Sequence, residues 1–389
     1  MKIASRMENL SPSVTMAITA MARELKSQGK DILSFSAGEP DFDTPEVIKN
    51  AAIQAIKDGH TKYTAVEGTI ETKRAIIQKL QNDHGLTYEL DEIIVSNGAK
   101  HSLFNLFQCL IEKGDEVIIP APYWVTYPEQ VKFSDGVPVF IDTDDTTNFK
   151  ITAEQLKKAI TPKTKILLLN TPSNPTGGVY TKEELLSLAE VLKGTDILVL
   201  SDEMYEKIMY DGKKFTAVAS VSDDMFQRTV TINGISKAVA MTGWRYGYLA
   251  TPNKLLVKTM IKLQGQVTSN VNSVTLQAAV AALDGSADAD IEMMRKEFEK
   301  RRDIVVEGFN AIKGLSCVTP DGAFYVFVNI KEINSDSMKF AADLLEEQGV
   351  AIVPGLAFGT EGYFRFSFAT DEVTIRDGIA RIKRFVEKK

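Results

Sequence analysis

A lysine and an arginine share one loop of the sequence, at positions 237 and 245 of NGISKAVAMTGWRYGY. The loop follows the short apolar run VTIN (230–233), which is typical of a buried strand. Strand-end loops are where α/β sheets present reactive groups, and a lysine amine there can act as a nucleophile toward a carbonyl carbon. Most single lysines are surface residues, so Lys237 becomes a candidate only because other features accompany it.

Two further loops have the composition of ligand-binding loops. SNGAKH (96–101) joins a predicted strand to an amphipathic helix, so its backbone N–H groups and the helix dipole can hold an anion such as a phosphate. NTPSNPTGG (170–178) is a Pro/Gly-rich loop after another predicted strand. Its Asn174 can donate a hydrogen bond to a phenolic oxygen, although capping a turn explains an asparagine there equally well.

An aspartate ends the next apolar run. In ILVLSDEMYE, Asp202 is the last residue of a predicted buried strand. Burying its carboxylate is costly without a cationic partner. A protonated pyridine nitrogen is such a partner, and this pairing keeps the ring an electron sink. Tyr205 can reach the same phenolic oxygen as Asn174. In APYWVTYP, Trp124 offers a flat face for a ring, although an aromatic cluster is more often plain core.

These motifs occur in one order together with GAFY and FRFSFA, and the sequence resembles the class I/II aminotransferases of PLP fold type I. The resemblance extends from SAGEPDFDTP to FRFSFAT and is strongest to the bacterial and archaeal subgroup Ib aspartate aminotransferases. It implies an α/β fold with a large domain, in which a mostly parallel seven-stranded sheet lies between helices, and a smaller α+β domain. It also implies pyridoxal 5′-phosphate as the cofactor and amino transfer from L-aspartate to 2-oxoglutarate.

The resemblance also implies roles for individual residues. Lys237 carries the cofactor as an imine and is catalytic together with Asp202 and Tyr205. The implied cofactor-binding residues are Gly98, Ala99, Lys100, Trp124, Asn174, Asp202, Tyr205, Ser236, Lys237, Arg245 and Tyr63. Tyr63 acts from the neighbouring subunit, which implies a homodimer with active sites at the interface. The implied substrate-binding residues are Gly38, Lys100, Trp124, Asn174, Arg365, Ser13 and Thr15.

Substrate choice depends on few residues. Arg365 is implied to clamp the α-carboxylate, whereas Lys100, Ser13 and Thr15 are implied to bind the distal carboxylate of aspartate or glutamate. Lys100 can also be read as a solvated residue at a helix start. Ser11 stands where prephenate-acting relatives carry a lysine, which argues against prephenate as a substrate.

Other functions are compatible with the same cofactor residues. A PLP-dependent C–S lyase, in which the bound substrate breaks down by elimination, is the leading alternative. An aminotransferase of aromatic, prephenate or alanine specificity is another. Transcription regulators that use an aminotransferase-like module carry an additional DNA-binding domain, and no such domain precedes the motifs in this sequence.

Composition narrows the partners. The 45 basic and 52 acidic residues give a formal charge of −7, which does not favour nucleic acid or anionic lipid. No stretch offers about 18 uninterrupted apolar residues, so we expect no membrane span. Three scattered histidines and two cysteines provide no metal-ligand spacing, and we expect no metal. Two cysteines in apolar stretches favour reduced thiols and a cytoplasmic protein.

The elements that position these loops follow from the apolar periodicity. Strands are predicted at EIIVS (92–96), EVIIP (116–120), KILLLN (165–170), ILVLSD (197–202) and VTIN (230–233). Helical spacing separates them, as in HSLFNLFQCLI and in KEELLSLAEVL after a Thr181 cap. Strands alternating with helices predict a parallel, buried sheet.

The pattern changes near residue 291. A charged helix leads into the predicted strands FYVFVNI, VAIVP and YFRFSFA, with helices at about 337–348 and 371–387. We therefore expect a large cofactor-binding domain over 45–290 and a C-terminal small domain over 291–389. The N-terminal segment 1–44 is expected to pack with the small domain, and a helical region near 253–310 is expected to join the two domains.

Overall fold

A computed structural model of the chain describes residues 3–8 and 10–388. Thirteen α-helices are present in these residues. They are α1 (Val14–Ser27), α2 (Glu46–Lys57), α3 (Ile70–His84), α4 (Ala99–Leu110), α5 (Thr126–Phe133), α6 (Ala153–Ala159), α7 (Lys182–Leu192), α8 (Asp223–Arg228), α9 (Lys254–Val267), α10 (Ser273–Leu283), α11 (Asp288–Asn310), α12 (Ser337–Gln348) and α13 (Glu372–Val386).

Thirteen strands accompany them in the described part of the chain. They are β1 (Leu33–Ser34), β2 (Ile93–Ser96), β3 (Glu116–Ala121), β4 (Val137–Asp142), β5 (Thr164–Asn170), β6 (Leu198–Asp202), β7 (Thr229–Gly234), β8 (Gly247–Ala250), β9 (Ser316–Cys317), β10 (Tyr325–Asn329), β11 (Val350–Ala351), β12 (Val353–Pro354) and β13 (Tyr363–Ser367).

The largest sheet has seven strands in the order β2-β8-β7-β6-β5-β3-β4. Only β8 runs against its neighbours, and the other pairings are parallel. The five strands predicted from apolar runs all form here, and the expected mostly parallel seven-stranded sheet is confirmed. Parallel strands covered by helices on both faces need apolar side chains on both faces, which explains the uninterrupted apolar runs.

Two strands of this sheet have no clear sequence signal. β4 lies at the sheet edge, where Val137 and Phe140 are exposed and Pro138 interrupts the pattern. β8 has only four residues and lies between β2 and β7. An exposed edge strand and a very short strand both lack the apolar run on which the prediction rests.

The helices that flank the site begin as their sequences predict. Thr181 accepts a hydrogen bond from the Glu184 N–H, and the Glu184 side chain bonds back to the Thr181 N–H, so a capping box starts α7. α4 begins after Gly98, whose φ is 86°, and no side chain caps it. The first N–H groups of α4 are therefore available to a ligand.

A second, four-stranded antiparallel sheet has the order β12-β13-β10-β9. The predicted strands FYVFVNI and YFRFSFA form β10 and β13, which pair directly. The prediction of one strand for VAIVP was wrong. Val350–Ala351 pairs with β1, whereas Val353–Pro354 pairs with β13, because Ile352 lies at a change of direction between two sheets.

The N-terminal segment contacts the C-terminal part of the chain at β1 and at Phe35. β1 pairs in parallel with β11, with Leu33 opposite Val350. The rings of Phe35 and Phe366 stack with centroids 4.0 Å apart. Residues 33–35, which directly precede SAGEPDFDTP, are therefore held against β11 and β13.

Helices α9, α10 and α11 occupy the region near 253–310. Position 291 lies inside α11, so the change of sequence character there falls within one continuous helix. In the described ranges, no helix is long and apolar enough to cross a membrane.

Candidate active site

A cavity of about 660 Å³ lies at the carboxyl ends of the central strands, and we call it the Lys237 cavity. The β5 and β6 strand ends are neighbours, with Asn170 opposite Asp202. Twelve of the residues predicted from the sequence line the cavity. They are Thr15, Gly38, Ala99, Lys100, Trp124, Asn174, Asp202, Tyr205, Ser236, Lys237, Arg245 and Arg365.

Lys237 follows β7 and reaches into this cavity. Its Nζ donates a hydrogen bond to the Gly38 carbonyl and lies 5.9 Å from the centre of the Tyr205 ring. Burial lowers the pKa of this amine to about 8, Glu39 opposes that change, and Arg365 and Arg245 reinforce it. A lower pKa keeps more of the amine neutral near pH 7, the form that can act as a nucleophile or base.

Asp202, the last residue of β6, is buried. One carboxylate oxygen accepts a hydrogen bond from the Tyr127 hydroxyl at 2.7 Å, and the other accepts one from the Met204 N–H at 3.3 Å. Burial raises the pKa of Asp202 to about 6 in spite of these bonds and of Lys237 nearby. A cation bound in the cavity would favour the ionised carboxylate.

Arg365 lies on β13 and is only 3% exposed. Its guanidinium donates to the Asn174 side-chain oxygen at 2.9 Å and to the Ser36 carbonyl at 2.7 Å, while Nε has no partner. It lies 4.4 Å from the Tyr325 ring centre. Among residues 3–8 and 10–388, no carboxylate pairs with this buried cation, so the site calls for an anionic ligand.

Asn174 and Tyr205 supply polar groups between Asp202 and Arg365. The Asn174 oxygen is occupied by Arg365, which leaves its NH₂ group as the donor. The Tyr205 hydroxyl lies 2.9 Å from the Tyr325 hydroxyl. Both predicted partners of a phenolic oxygen therefore line the cavity.

A concave backbone at the start of α4 faces an arginine. A Cβ added to Gly98 would lie 2.4 Å from the Arg245 guanidinium, and one added to Gly247 would lie 2.3 Å from the Ala99 nitrogen. A side chain at position 98 would therefore fill the space beside Arg245, and one at position 247 would clash with the backbone at the start of α4. Free helix N–H groups and a guanidinium together form a phosphate-binding arrangement.

Lys100 and Trp124 form the side wall of the cavity. The Lys100 ammonium lies 4.9 Å from the Trp124 ring centre, and no carboxylate pairs with it in the described ranges. Desolvation and then Arg245 lower its pKa. Lys100 is an exposed residue whose ammonium lies at the cavity side beside Trp124.

Three predicted site residues are not among those that line the Lys237 cavity. The Ser13 hydroxyl caps α1 and lies 2.9 Å from the Thr15 hydroxyl, and Ser13 lines a neighbouring cavity. Gly98 lies behind Arg245 and is buried. Tyr63 is 89% exposed and lines none of these cavities within its own chain.

The sequence interpretation missed two tyrosines of the site. Tyr127 holds Asp202, and Tyr325 lies between Tyr205 and Arg365. Tyr127 stands three residues after Trp124 in the motif APYWVTYP, and this nearness was a usable signal for the first. Tyr325 was visible only as part of the GAFY motif.

These residues fit pyridoxal phosphate. The Gly98–Arg245 cradle suits its phosphate, and Asp202, a carboxylate without a cation bonded to it, suits its pyridine nitrogen. Asn174 and Tyr205 suit the phenolic oxygen, and Trp124 offers a ring face. Lys237 supplies the amine that its aldehyde requires.

Comparisons with known proteins agree with this arrangement. The family profile "Aminotransferase class I and II" matches residues 30–382. A Geobacillus stearothermophilus aspartate aminotransferase is 48% identical over 392 residues, covering 100% of this chain and 99% of the relative. A Nitrosomonas europaea aspartate/prephenate aminotransferase is 46% identical, covering 98% and 99%.

Solved structures include an aspartate aminotransferase from Thermus thermophilus with maleate. It superposes with a TM-score of 0.95 at 41% identity, and the match covers 99% of each chain. The chain therefore belongs to the class I and II aminotransferase family.

Proposed function

We propose that this chain transfers the amino group of L-aspartate to 2-oxoglutarate, giving oxaloacetate and L-glutamate. Among the cations that line the Lys237 cavity, which also include Arg23 and Arg245, Arg365 and Lys100 carry the proposal, because neither has a carboxylate partner in the described part of the chain and they lie on different walls of the cavity. Two such cations suit a substrate with two carboxylates. The names of the relatives support the same substrate class.

Pyridoxal phosphate is the cofactor of this family, and when bound it withdraws electrons from the substrate's α-carbon. Lys237 would first hold the cofactor through its amine. Once the amino group of the substrate has displaced Lys237 from the cofactor, the freed lysine would act as the base that accepts the α-proton. Asp202 would keep the pyridine nitrogen protonated, and Tyr127 orients Asp202 by its 2.7 Å hydrogen bond.

The remaining residues fix the substrate. Arg365 would bind the α-carboxylate through two parallel hydrogen bonds, since Asn174 and Ser36 already hold its guanidinium in place. Lys100 would bind the distal carboxylate from the Trp124 side of the cavity. This geometry would present the α-hydrogen to Lys237.

An assay separates amino transfer from the lyase alternative. Amino transfer from aspartate to 2-oxoglutarate is measured beside the release of ammonia and pyruvate from cysteine-type substrates. We expect transfer to dominate. Dominant elimination would contradict the proposal. If transfer from aromatic amino acids, alanine or the amino acid formed from prephenate were faster than transfer from aspartate, the enzyme would have one of the alternative specificities.

We propose that the protein is a homodimer in which Tyr63 reaches the phosphate site of the partner subunit. Tyr63 is exposed and so are Ile53, Ile56, Ile70 and Val267. The Ser273 hydroxyl donates to the His60 carbonyl at 2.7 Å, which ties the start of α10 to the segment that carries Tyr63. Exposed apolar residues are typical of a subunit interface, and Ile53, Ile56 and Ile70 lie on the sequence segments that flank Tyr63.

Hybrid dimers test this arrangement. A Lys237→Ala subunit and a Tyr63→Ala subunit combine into a dimer with one site that has both residues and one that has neither. We expect the hybrid to recover about half of the wild-type activity, by the symmetry of a two-fold dimer. Recovery no greater than the average of the two parent variants would contradict a shared site.

Compartment and domain limits are also proposed. Cys109 and Cys317 are unbridged thiols, which supports a cytoplasmic protein. We propose domains at 45–290 and 291–389, with 1–44 in the small domain. Limited proteolysis tests these limits, because cleavage should fall in the loop near 44 and in the loop 284–287, which is the loop nearest to the limit in the first turn of α11.

A further inference from the structure

The loop of residues 36–44 is fastened to the loop that carries Lys237. The Thr242 hydroxyl donates to the Glu39 carboxylate at 2.9 Å, and the Thr44 hydroxyl donates to the Ala240 carbonyl at 2.8 Å. The Trp244 indole N–H donates to Thr44 at 3.1 Å. Together these bonds hold Glu39 at the wall of the Lys237 cavity.

Glu39 is a carboxylate at the cavity wall to which the proposed binding of cofactor and substrate gives no role. The charged groups that face Lys237 are Glu39, Arg365, Arg245 and Asp202, and the Tyr205 ring lies beside it. Asp202 would serve the pyridine nitrogen, and both arginines would bind anions. The Lys237 Nζ already donates to the carbonyl of Gly38, the residue next to Glu39.

We propose that Glu39 is a positioning residue that stabilises the ammonium form of Lys237 during proton transfer. The inference deepens the proposed function and rests on it. When the substrate's Cα–H bond breaks, the proton passes to the Nζ lone pair, and the electron pair is withdrawn by the cofactor. A carboxylate close to Nζ stabilises the resulting positive charge, whereas Arg365 and Arg245 oppose it.

The test measures the Lys237 amine without cofactor. The full-length, cofactor-free protein is labelled with acetic anhydride across a pH series, and the peptide that contains Lys237 is quantified by mass spectrometry. The wild-type midpoint should lie near pH 8. In Glu39→Gln, which removes the charge but keeps an oxygen for Thr242, we expect labelling at pH 7 to be about 3- to 10-fold faster.

Three variants complete the design. Glu190→Gln, on α7 outside the cavity, removes an equal charge and should leave the midpoint unchanged. Glu39→Asp should restore most of the wild-type midpoint. Thr242→Val should shift the midpoint in the same direction as Glu39→Gln by a smaller amount, because Glu39 loses its anchor.

An unchanged midpoint in Glu39→Gln, with a wild-type circular dichroism spectrum, would overturn the inference. An equal shift in Glu190→Gln would overturn it too, because the effect would then be one of net charge. Neither of these two labelling results contradicts the proposed function, provided that Lys237 still binds pyridoxal phosphate as an imine. If Lys237 fails to bind it, the proposed function itself is wrong.

Discussion

Two groups of buried charge in this molecule have opposite arrangements. The first, the Glu206 cluster, comprises Lys79, Asp83, His84, Glu206 and Lys207. Lys79 and His84 both contact the Glu206 carboxylate, and Asp83 pairs with Lys79 at 3.3 Å and Lys207 at 2.7 Å. Each carboxylate is neutralised by neighbours. Asp83, His84 and Glu206 are close enough together to bind a metal ion, but both carboxylates already form ion pairs with lysines.

The second group lines the Lys237 cavity, and its charges are incompletely paired. Arg365 has no carboxylate partner in the described residues, and Asp202 has hydrogen bonds but no bonded cation. The pKa of Glu206 is well below its usual range, because Lys79 and His84 outweigh burial, whereas burial raises that of Asp202 to about 6. Removing one partner of a paired buried charge is strongly destabilising, whereas an unpaired buried charge in a cavity marks a candidate ligand site.

The largest effect is expected for Lys237→Ala. The lysine is both the cofactor's attachment point and the base, so kcat should fall by about 10⁴-fold or more. Steady-state transfer and the absorption band of the imine measure the loss. Lys207→Ala, which removes a lysine of the Glu206 cluster, should keep near-normal turnover. Near-normal turnover in Lys237→Ala itself would remove this lysine from the mechanism.

Glu206→Gln should mainly affect stability. The substitution leaves Lys79 and His84 without their carboxylate and should cost about 3–5 kcal/mol of unfolding free energy at pH 7. Because folding lowers the pKa of Glu206, its contribution is complete above the ordinary value of 4.5 and is lost as the pH falls below it.

Urea unfolding at several pH values measures this difference. The gap between wild type and Glu206→Gln should shrink in acid. Exposed Glu190→Gln is the matched control and should change stability by less than about 0.5 kcal/mol. A gap that stays constant down to strongly acidic pH would show that packing, and not charge, explains the loss.

Asp202→Ala should slow the chemical step while the fold is retained. An unprotonated pyridine is a poorer electron sink, and losing one preorganised charge typically costs about 10²–10³-fold in rate. Single-turnover measurement of α-proton removal is the readout. Asp224→Ala, at the surface ion pair with Arg228, should not change that rate. An unaltered rate in Asp202→Ala would contradict the assigned pyridine contact.

Lys100→Ala should produce the smallest of these effects. Losing a charge-assisted bond costs about 1.5–3 kcal/mol, so kcat/KM for aspartate should fall roughly 10- to 150-fold. Alanine, which has no distal carboxylate, should lose far less. Cofactor affinity is measured in parallel. Equal losses for both amino acids, or a loss caused by released cofactor, would leave Lys100 a structural residue.

How much the sequence predicts depends on the range of the interactions. β5, β6 and β7 carry continuous apolar runs and were predicted, and so was the Thr181 cap of α7, which is a local interaction. β4 and β8 were not predicted. β4 is an exposed edge strand and β8 lies antiparallel between β2 and β7, and both positions depend on neighbours that are distant in sequence. The division of VAIVP between two sheets is a tertiary effect of the same kind.

The site shows the same division. Lys237, Asp202 and Asn174 stand in motifs at strand ends, and the structure brings them together in one cavity. The hydrogen bond from Tyr127 to Asp202 joins residues 75 positions apart, and that between Tyr205 and Tyr325 joins residues 120 apart. No local pattern encodes such contacts, and Ser13 in turn is engaged in a local cap.

Borohydride reduction tests the assignment of Lys237 most directly. Pyridoxal phosphate is added to the full-length protein, the imine is reduced, and the labelled peptide is identified by mass spectrometry. We predict that the label lies on Lys237 and that aspartate, added before reduction, prevents labelling. A label on another lysine of the cavity, such as Lys100, or no stoichiometric label at all, would contradict the assignment.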